Sequence, residues 1–298
     1  MSRDDATLHG EHLPPAKTAP RAFYALAAAL LVAGLAAGGY FVVKWLKAVP
    51  APQETLVVGP AEGRQKRFEV PAITFTDVTA ASRIDFRHAN GATAHKLLPE
   101  TMGGGVAVID YDGDGKPDLL FVNSCPWPGL ADATATPPTL KLYRNRGGMK
   151  FDDVTATVGL DVTVFGMGVA VGDFDNDGHP DIFVSCVGKN RLFRNVGGKT
   201  FADVTDAAGV GGPTDLPKAT ADEFLKWVPA IPFGSSCTFL DYDGDGKLDL
   251  FVCHYVAWSP SIDRAVNASV EGGKRSYVQP KDFEGSQCTL YRNRGGGK

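Results

Sequence analysis

A nine-residue pattern, D-x-D-x-D-G-x-x-D, occurs three times in this chain: Asp110-Tyr-Asp112-Gly-Asp114-Gly115-Lys116-Pro-Asp118, Asp173-Phe-Asp175-Asn-Asp177-Gly178-His179-Pro-Asp181 and Asp241-Tyr-Asp243-Gly-Asp245-Gly246-Lys247-Leu-Asp249. Short apolar runs precede it (GGGVAVI, GMGVAVG, SSCTFL) and others follow it (LLFV, IFV, LFV). Runs this short, rich in Val, Ile, Leu and Phe and bounded by Asp-Gly turns, predict two β-strands joined by the acidic loop.

A second block recurs with fixed internal spacing. L-[YF]-R-N begins at Leu142, Leu192 and Leu290, and a Gly-Gly pair follows each copy: Gly147-Gly148, Gly197-Gly198 and Gly295-Gly296. After the first two copies comes F-x-D-V-T, at Phe151 and Phe201. An isolated copy, Phe75-Thr-Asp-Val-Thr79, precedes the first repeat. The block predicts a second tight hairpin. Two hairpins per repeat make a four-stranded antiparallel sheet, and sheets in tandem predict an all-β fold of β-propeller blades. Three four-stranded repeats are expected, an incomplete propeller, since closed ones use about 4–8 blades. The F-x-D-V-T phenylalanine due after Leu290 falls one position past Lys298, as it would in a truncated frame or in an open unit that needs partner chains. The 35 glycines and 20 prolines agree with so many turns.

In an up-and-down sheet the acidic loops and the Gly-Gly turns share one end of the strands. The connections of variable length (roughly 80–101, 124–140, 156–165, 206–232 and 254–288) share the other. Trp127, Trp227 and Trp258 lie in these connections, as do His254 and Tyr255. Functional residues favour loops held on a rigid scaffold, so these five are the expected contacts for a protein or glycan ligand.

Clustered carboxylates in register call for a hard cation with oxygen ligands. Calcium suits them, with carboxylates expected from positions 1, 3, 5 and 9 and a main-chain carbonyl from position 7 (Lys116, His179, Lys247). About three structural ions are expected, one per loop. An EF-hand would place a glutamate at position 12, where this chain has Phe121, Val184 and Val252. Magnesium demands stricter octahedral geometry.

The acidic motifs resemble the FG-GAP/VCBS repeats of calcium-binding β-propellers, with Phe165-Gly166 and Phe233-Gly234 as the "FG" pair and Met102-Gly103 in the first copy. Phe75–Thr79, Asp85–Gly91, Leu98–Gly105 and Pro280–Phe283 are similar to bacterial cartilage-acidic-protein-like members, which usually carry a C-terminal ASPIC/UnbV module. The resemblance implies an exported or surface-attached propeller.

Ala22–Val43 contains no charged residue and is bracketed by Arg21 and Lys44. This predicts a transmembrane signal anchor over 22–43, after a polar tail over 1–21 and before a linker over 44–72, with the repeats over 73–298. Gly34-Leu35-Ala36 is a small-x-small site that leaves a cleaved signal peptide as the alternative. Flanking charge does not fix the orientation. Calcium loops of low affinity fill outside the cytoplasm, so the repeats are expected on that side of the cell membrane. A net charge of −4 argues against a nucleic-acid partner. With no G-x-S-x-G, H-E-x-x-H or Walker pattern, the chain is expected to bind, adhere or scaffold rather than catalyse. The alternative is part of a larger propeller enzyme whose site lies in the variable loops or in further sequence. Cys237 and Cys253 become cross-strand partners if the third hairpin is symmetric about its loop.

Overall fold

The computed structural model describes residues 44, 72–130, 136–266, 268–270 and 272–296. The expected tail, membrane anchor and most of the linker lie outside the described residues. Among the described residues no helix is long and apolar enough to cross a membrane.

Residues 74–298 form a unit built on three antiparallel sheets. The first has order β1-β2-β3-β4, from Val106–Ile109, Asp118–Phe121, Lys141–Asn145 and Phe151–Asp153. The second has order β5-β6-β7-β8, from Gly166–Gly172, Asp181–Cys186, Arg191–Val196 and Thr200–Asp203. The third holds β9 (Gly234–Leu240), β10 (Asp249–His254) and β11 (Thr289–Tyr291), with β10 in the middle. The expected fourth strand of this sheet is therefore corrected to three strands among the described residues.

Each repeat folds as its two turn signals dictate. Both glycines of every Gly-Gly pair have positive φ, from 60° to 82°. They open a three-residue turn: Gly197, Gly198 and Lys199 lie between the paired Val196 and Thr200, and Gly147, Gly148 and Met149 lie between Arg146 and Lys150, whose carbonyl accepts from Arg146 N–H. The acidic loops need left-handed backbone at position 6 (Gly115, Gly178, Gly246) and also at position 4, where Gly113, Asn176 and Gly244 sit. Asparagine is the side chain that best tolerates that region.

The strands leave the acidic loop asymmetrically. Ile109 pairs with Asp118, Gly172 with Asp181 and Leu240 with Asp249. Position 9 is thus the first residue of the second strand, paired with the residue before position 1. The symmetric register expected for the third hairpin is off by one residue, and Cys237 faces Val252 rather than Cys253. A one-residue slip puts the two side chains on opposite faces, and both cysteines are free thiols.

The sheets sit side by side through their first strands. β5 lies against β1 on one side and β9 on the other. Gly105 N–H donates to the Met167 carbonyl at 2.7 Å, and Ser185 Oγ donates to the Ser235 carbonyl at 3.1 Å. Between the first and second sheets, Leu120, Leu142, Leu160, Ile182, Val184 and Phe201 form one core. Between the second and third lie Phe174, Phe183, Leu192, Leu250 and Val252.

A third core belongs to the variable connections. Trp127 stacks on Phe165 at 4.0 Å and on Phe224 at 5.4 Å between ring centroids, and Trp258 lies 5.3 Å from it. Two buried carboxylates fasten this layer. Glu100 accepts from Trp127 Nε1 at 3.0 Å and from Thr93 Oγ1 at 2.8 Å. Asp263 accepts from Trp258 Nε1 at 2.7 Å, from the Leu98 amide at 2.7 Å and from the Arg275 guanidinium at 2.9 Å. Burial raises the Asp263 carboxyl above its ordinary value, against the lowering effect of these donors.

Candidate metal centre

In each acidic loop one carboxylate organises the backbone and another joins the two hairpins of the sheet. The position 1 carboxylate accepts from the amides of positions 5 and 6. The distances are 3.1 and 2.9 Å at Asp110, 3.0 and 2.8 Å at Asp173, and 3.1 and 3.0 Å at Asp241. The position 9 carboxylate is buried and reaches both ways. Asp118 accepts from Tyr111 N–H at 3.2 Å and from Asn145 N–H at 2.7 Å. Asp181 does the same with Phe174 and Asn195, and Asp249 with Tyr242 and Asn293.

The result is a converging set of oxygens. One carboxylate oxygen from each of Asp110, Asp112 and Asp118 lies within 4.8 Å of the others, and Asp173, Asp175 and Asp181 and then Asp241, Asp243 and Asp249 repeat the arrangement. Three triads that could hold a metal ion are therefore present, made of positions 1, 3 and 9. Position 5 lies outside the triads and is paired with basic side chains. Asp114 pairs with Lys116 Nζ at 2.9 Å and Arg144 at 3.3 Å, Asp177 with Arg194 at 2.9 Å, and Asp245 with Lys247 Nζ at 2.6 Å. The Lys116 ammonium beside Asp114 lowers its carboxyl, as Lys247 does for Asp245. Position 7 enters the loop through its N–H, which donates to position 5 at 3.0 Å in Lys116, His179 and Lys247 alike.

The arginine of L-[YF]-R-N was overlooked as part of this site. Arg144 lies 2.5 Å from Asp112, Arg194 2.5 Å from Asp175, and Arg292 2.7 Å from Asp243. Its fixed place in the second block, beside an asparagine that also serves the loop, was the available signal. A single guanidinium leaves each triad negative. At the second site burial pushes Asp181 up to about 7, with Asp175 and Asp177 adding to the rise against its two backbone donors. One oxygen there, Asp175 Oδ1, is buried with no hydrogen-bond partner. An all-oxygen donor set with an orphaned buried carboxylate oxygen fits a hard cation.

The FG-GAP-like repeat model matches residues 130–184 and again 177–252, which takes in the second and third acidic loops. The chain carries FG-GAP-like repeats. Cartilage acidic protein 1 of Homo sapiens is 28% identical over 187 residues, 61% of this chain and 23% of that protein. Its counterparts in Mus musculus and Xenopus tropicalis align with the same identity and the same shares. The chain thus covers under a quarter of the length of these curated relatives. The "FG" phenylalanines of the FG-GAP-like repeats, Phe165 and Phe233, are buried in the connection core.

That core corrects the expected ligand face. Trp127 and Trp258 are wholly buried, because a broad apolar ring with one N–H is well served by a dry pocket holding a carboxylate. They pack the connections and are not surface contacts. Trp227 is half-buried against the same core, and Tyr255 packs edge-on to Phe233 at 5.5 Å. His254 Nδ1 lies 3.0 Å from the Gln287 carbonyl.

Two asparagines of the second block, Asn195 and Asn293, bind their repeat to the preceding one. Asn195 donates from Nδ2 to the Tyr111 carbonyl at 2.8 Å, and accepts from Gly198 N–H at 2.9 Å. Asn195→Ala would leave these buried groups unpaired. A loss of about 2 kcal/mol in urea unfolding is expected.

Proposed function

We propose that the chain is a calcium-stabilised β-propeller-type binding or scaffolding module, with one structural ion in each acidic loop. The observation that carries this reading is the threefold convergence of positions 1, 3 and 9, with Asp175 Oδ1 buried and unpartnered. Calcium takes six to eight oxygens at 2.3–2.6 Å. Each triad would supply three carboxylates, with position 5 and the position 7 carbonyl as further ligands once the loop closes on the ion. The ion's chemistry is charge neutralisation and loop closure. The chain's own contribution is to hold the triad in place through the backbone donors to positions 1 and 9.

Three antiparallel sheets side by side through their first strands, with FG-GAP-like matches over 130–184 and 177–252, support the blade reading. A binding role rather than catalysis is favoured by the buried acids of the connections, Glu100 and Asp263, which serve packing. Trp227, His254 and Tyr255 remain the surface through which a protein or glycan would be met. The apolar stretch over 22–43 and the low affinity expected of such loops support a membrane-anchored module outside the cytoplasm.

Titration calorimetry of the metal-stripped chain with calcium tests the proposal. About three ions per chain are expected, falling by one in Asp181→Asn. No heat of binding at millimolar calcium would overturn it.

A further inference from the structure

We infer that Cys253 and Cys288 are a disulfide-forming pair whose bond closes the connection over 254–287 at its base. Both are free thiols in the structure, which shows the reduced form of the pair.

The register of β10 with β11 sets the two cysteines opposite one another. Leu250 pairs with Tyr291, Phe251 with Leu290 and Val252 with Thr289. Beyond the strands the two segments stay side by side in the same register: Val256 bridges to Gly285, and Ala257 N–H donates to the Glu284 carbonyl at 2.8 Å. In between, His254 Nδ1 lies 3.0 Å from the Gln287 carbonyl. Cys253 and Cys288 therefore occupy one cross-strand position, bracketed by paired residues on both sides.

That position is of the closer kind. The Cys253 carbonyl accepts from Ser235 Oγ of β9 at 3.2 Å, so it is turned away from β11. Opposed residues that exchange no backbone hydrogen bonds have Cα atoms ~4.5 Å apart, within the ~4.4–6.8 Å that a disulfide spans. Side chains directly opposite also share a face. In the first sheet the same two positions continue the pairing of Phe121 with Lys141, and their occupants, Val122 and Leu140, are buried in one core. The third sheet puts two thiols where the first puts two apolar side chains.

The other three cysteines do not compete. Cys237 faces Val252, on the other face of the sheet from Cys253. Cys125 and Cys186 are buried. Burial pushes the Cys125 thiol up to about 12 and the Cys237 thiol up to about 11, and it raises Cys186 as well. Thiol–disulfide exchange needs a thiolate, so these three stay reduced.

The oxidant is a small-molecule or protein disulfide. One thiolate of the pair attacks a donor sulfur, the donor S–S bond breaks and a mixed disulfide forms. The second thiolate attacks the protein sulfur of that mixed bond and displaces the donor's remaining thiolate. One protein S–S bond has then formed. The donor has taken two electrons, and the two protons lost by the cysteines reach its two thiolates through solvent. Such a bond persists in an oxidising compartment. It touches no acidic loop, so it stands apart from the metal sites. It pins the segment that carries Trp258, Asp263 and Arg275 at the point where that segment leaves β10 and rejoins β11.

Peptide mapping tests the pairing. The full chain in a mild detergent is oxidised with glutathione disulfide, denatured with an alkylating agent and cut with trypsin. Cleavage after Lys226, Lys247, Arg264, Lys281 and Arg292 puts Cys237, Cys253 and Cys288 on three separate peptides. One linked product joining the Cys253 and Cys288 peptides is expected, with the other three cysteines alkylated. The oxidised chain should melt roughly 10 °C above the same sample in dithiothreitol. The double variant Cys253→Ser/Cys288→Ser should melt with the reduced wild type and ignore dithiothreitol, whereas Cys237→Ser should keep both the link and the shift. Alkylation of both Cys253 and Cys288 after oxidation overturns the inference, as does a link from either to Cys237 or to a second copy of the chain. A correct link with no change in Tm on reduction would mean that the bond does not close the connection, and overturns it as well.

Discussion

Trp258→Ala is expected to lower the unfolding free energy by about 3–5 kcal/mol, the usual cost of emptying a large aromatic site in a core. The ring is wholly buried among Trp127, Phe233 and the rest of the connection core. Its loss also takes one of three donors from Asp263, a carboxylate with no exposed surface. Breaking one member of a buried charged network leaves the others uncompensated. Trp227→Ala is the control: its ring is half-buried and its Nε1 has no partner, so about 1 kcal/mol or less is expected. Urea midpoints of the two variants separate the roles. Equal losses would mean that Trp258 is not seated as described.

The second large effect is expected from calcium itself. At ~1 mM ion and a Kd of ~0.1 mM, one site adds about 1.4 kcal/mol, and three independent sites about 4 kcal/mol. For a domain of this size that raises Tm by roughly 10 °C over the chelated protein. The pH dependence should change sign with the metal. In the metal-free chain Asp181 titrates near about 7 in the folded state against ~3.9 unfolded. The folded state then holds the extra proton between those values. The contribution of Asp181 to stability is then full below ~4, falls as pH rises toward ~7 and is gone above. With calcium bound the carboxylate stays ionised, and acidification is what loses stability. Differential scanning calorimetry at pH 5 and pH 8, with and without chelator, checks both statements. A metal-free Tm that rises between pH 5 and pH 8 would contradict the burial assigned to Asp181.

The acidic loops and Gly-Gly turns were legible because each rests on local backbone demands that a motif records directly: left-handed glycines, clustered carboxylates, short apolar strands on either side. The arginine at Arg144, Arg194 and Arg292 was visible as a recurring letter, but its target was not. That contact closes only when the second hairpin folds onto the first. The tryptophans were misread for a related reason. Trp127, Trp227 and Trp258 share a connection face by topology, yet which of them is covered depends on Phe224, Phe165 and the acids Glu100 and Asp263, drawn from distant parts of the chain. The register of the third hairpin turned on a side chain, Asp249, that bends back to its own loop. Strand symmetry alone gave the neighbouring residue.

Each triad draws its carboxylates from one nine-residue stretch, and its arginine and asparagine from the next hairpin of the same sheet. Inheritance of a site therefore follows inheritance of a repeat. A duplication that copies one sheet copies a finished ion site with it, and a deletion removes one site while leaving the others whole. Segments such as 206–232 and 254–288 can lengthen or diverge meanwhile without touching a ligand, so the array can grow and change its outer face on separate evolutionary clocks.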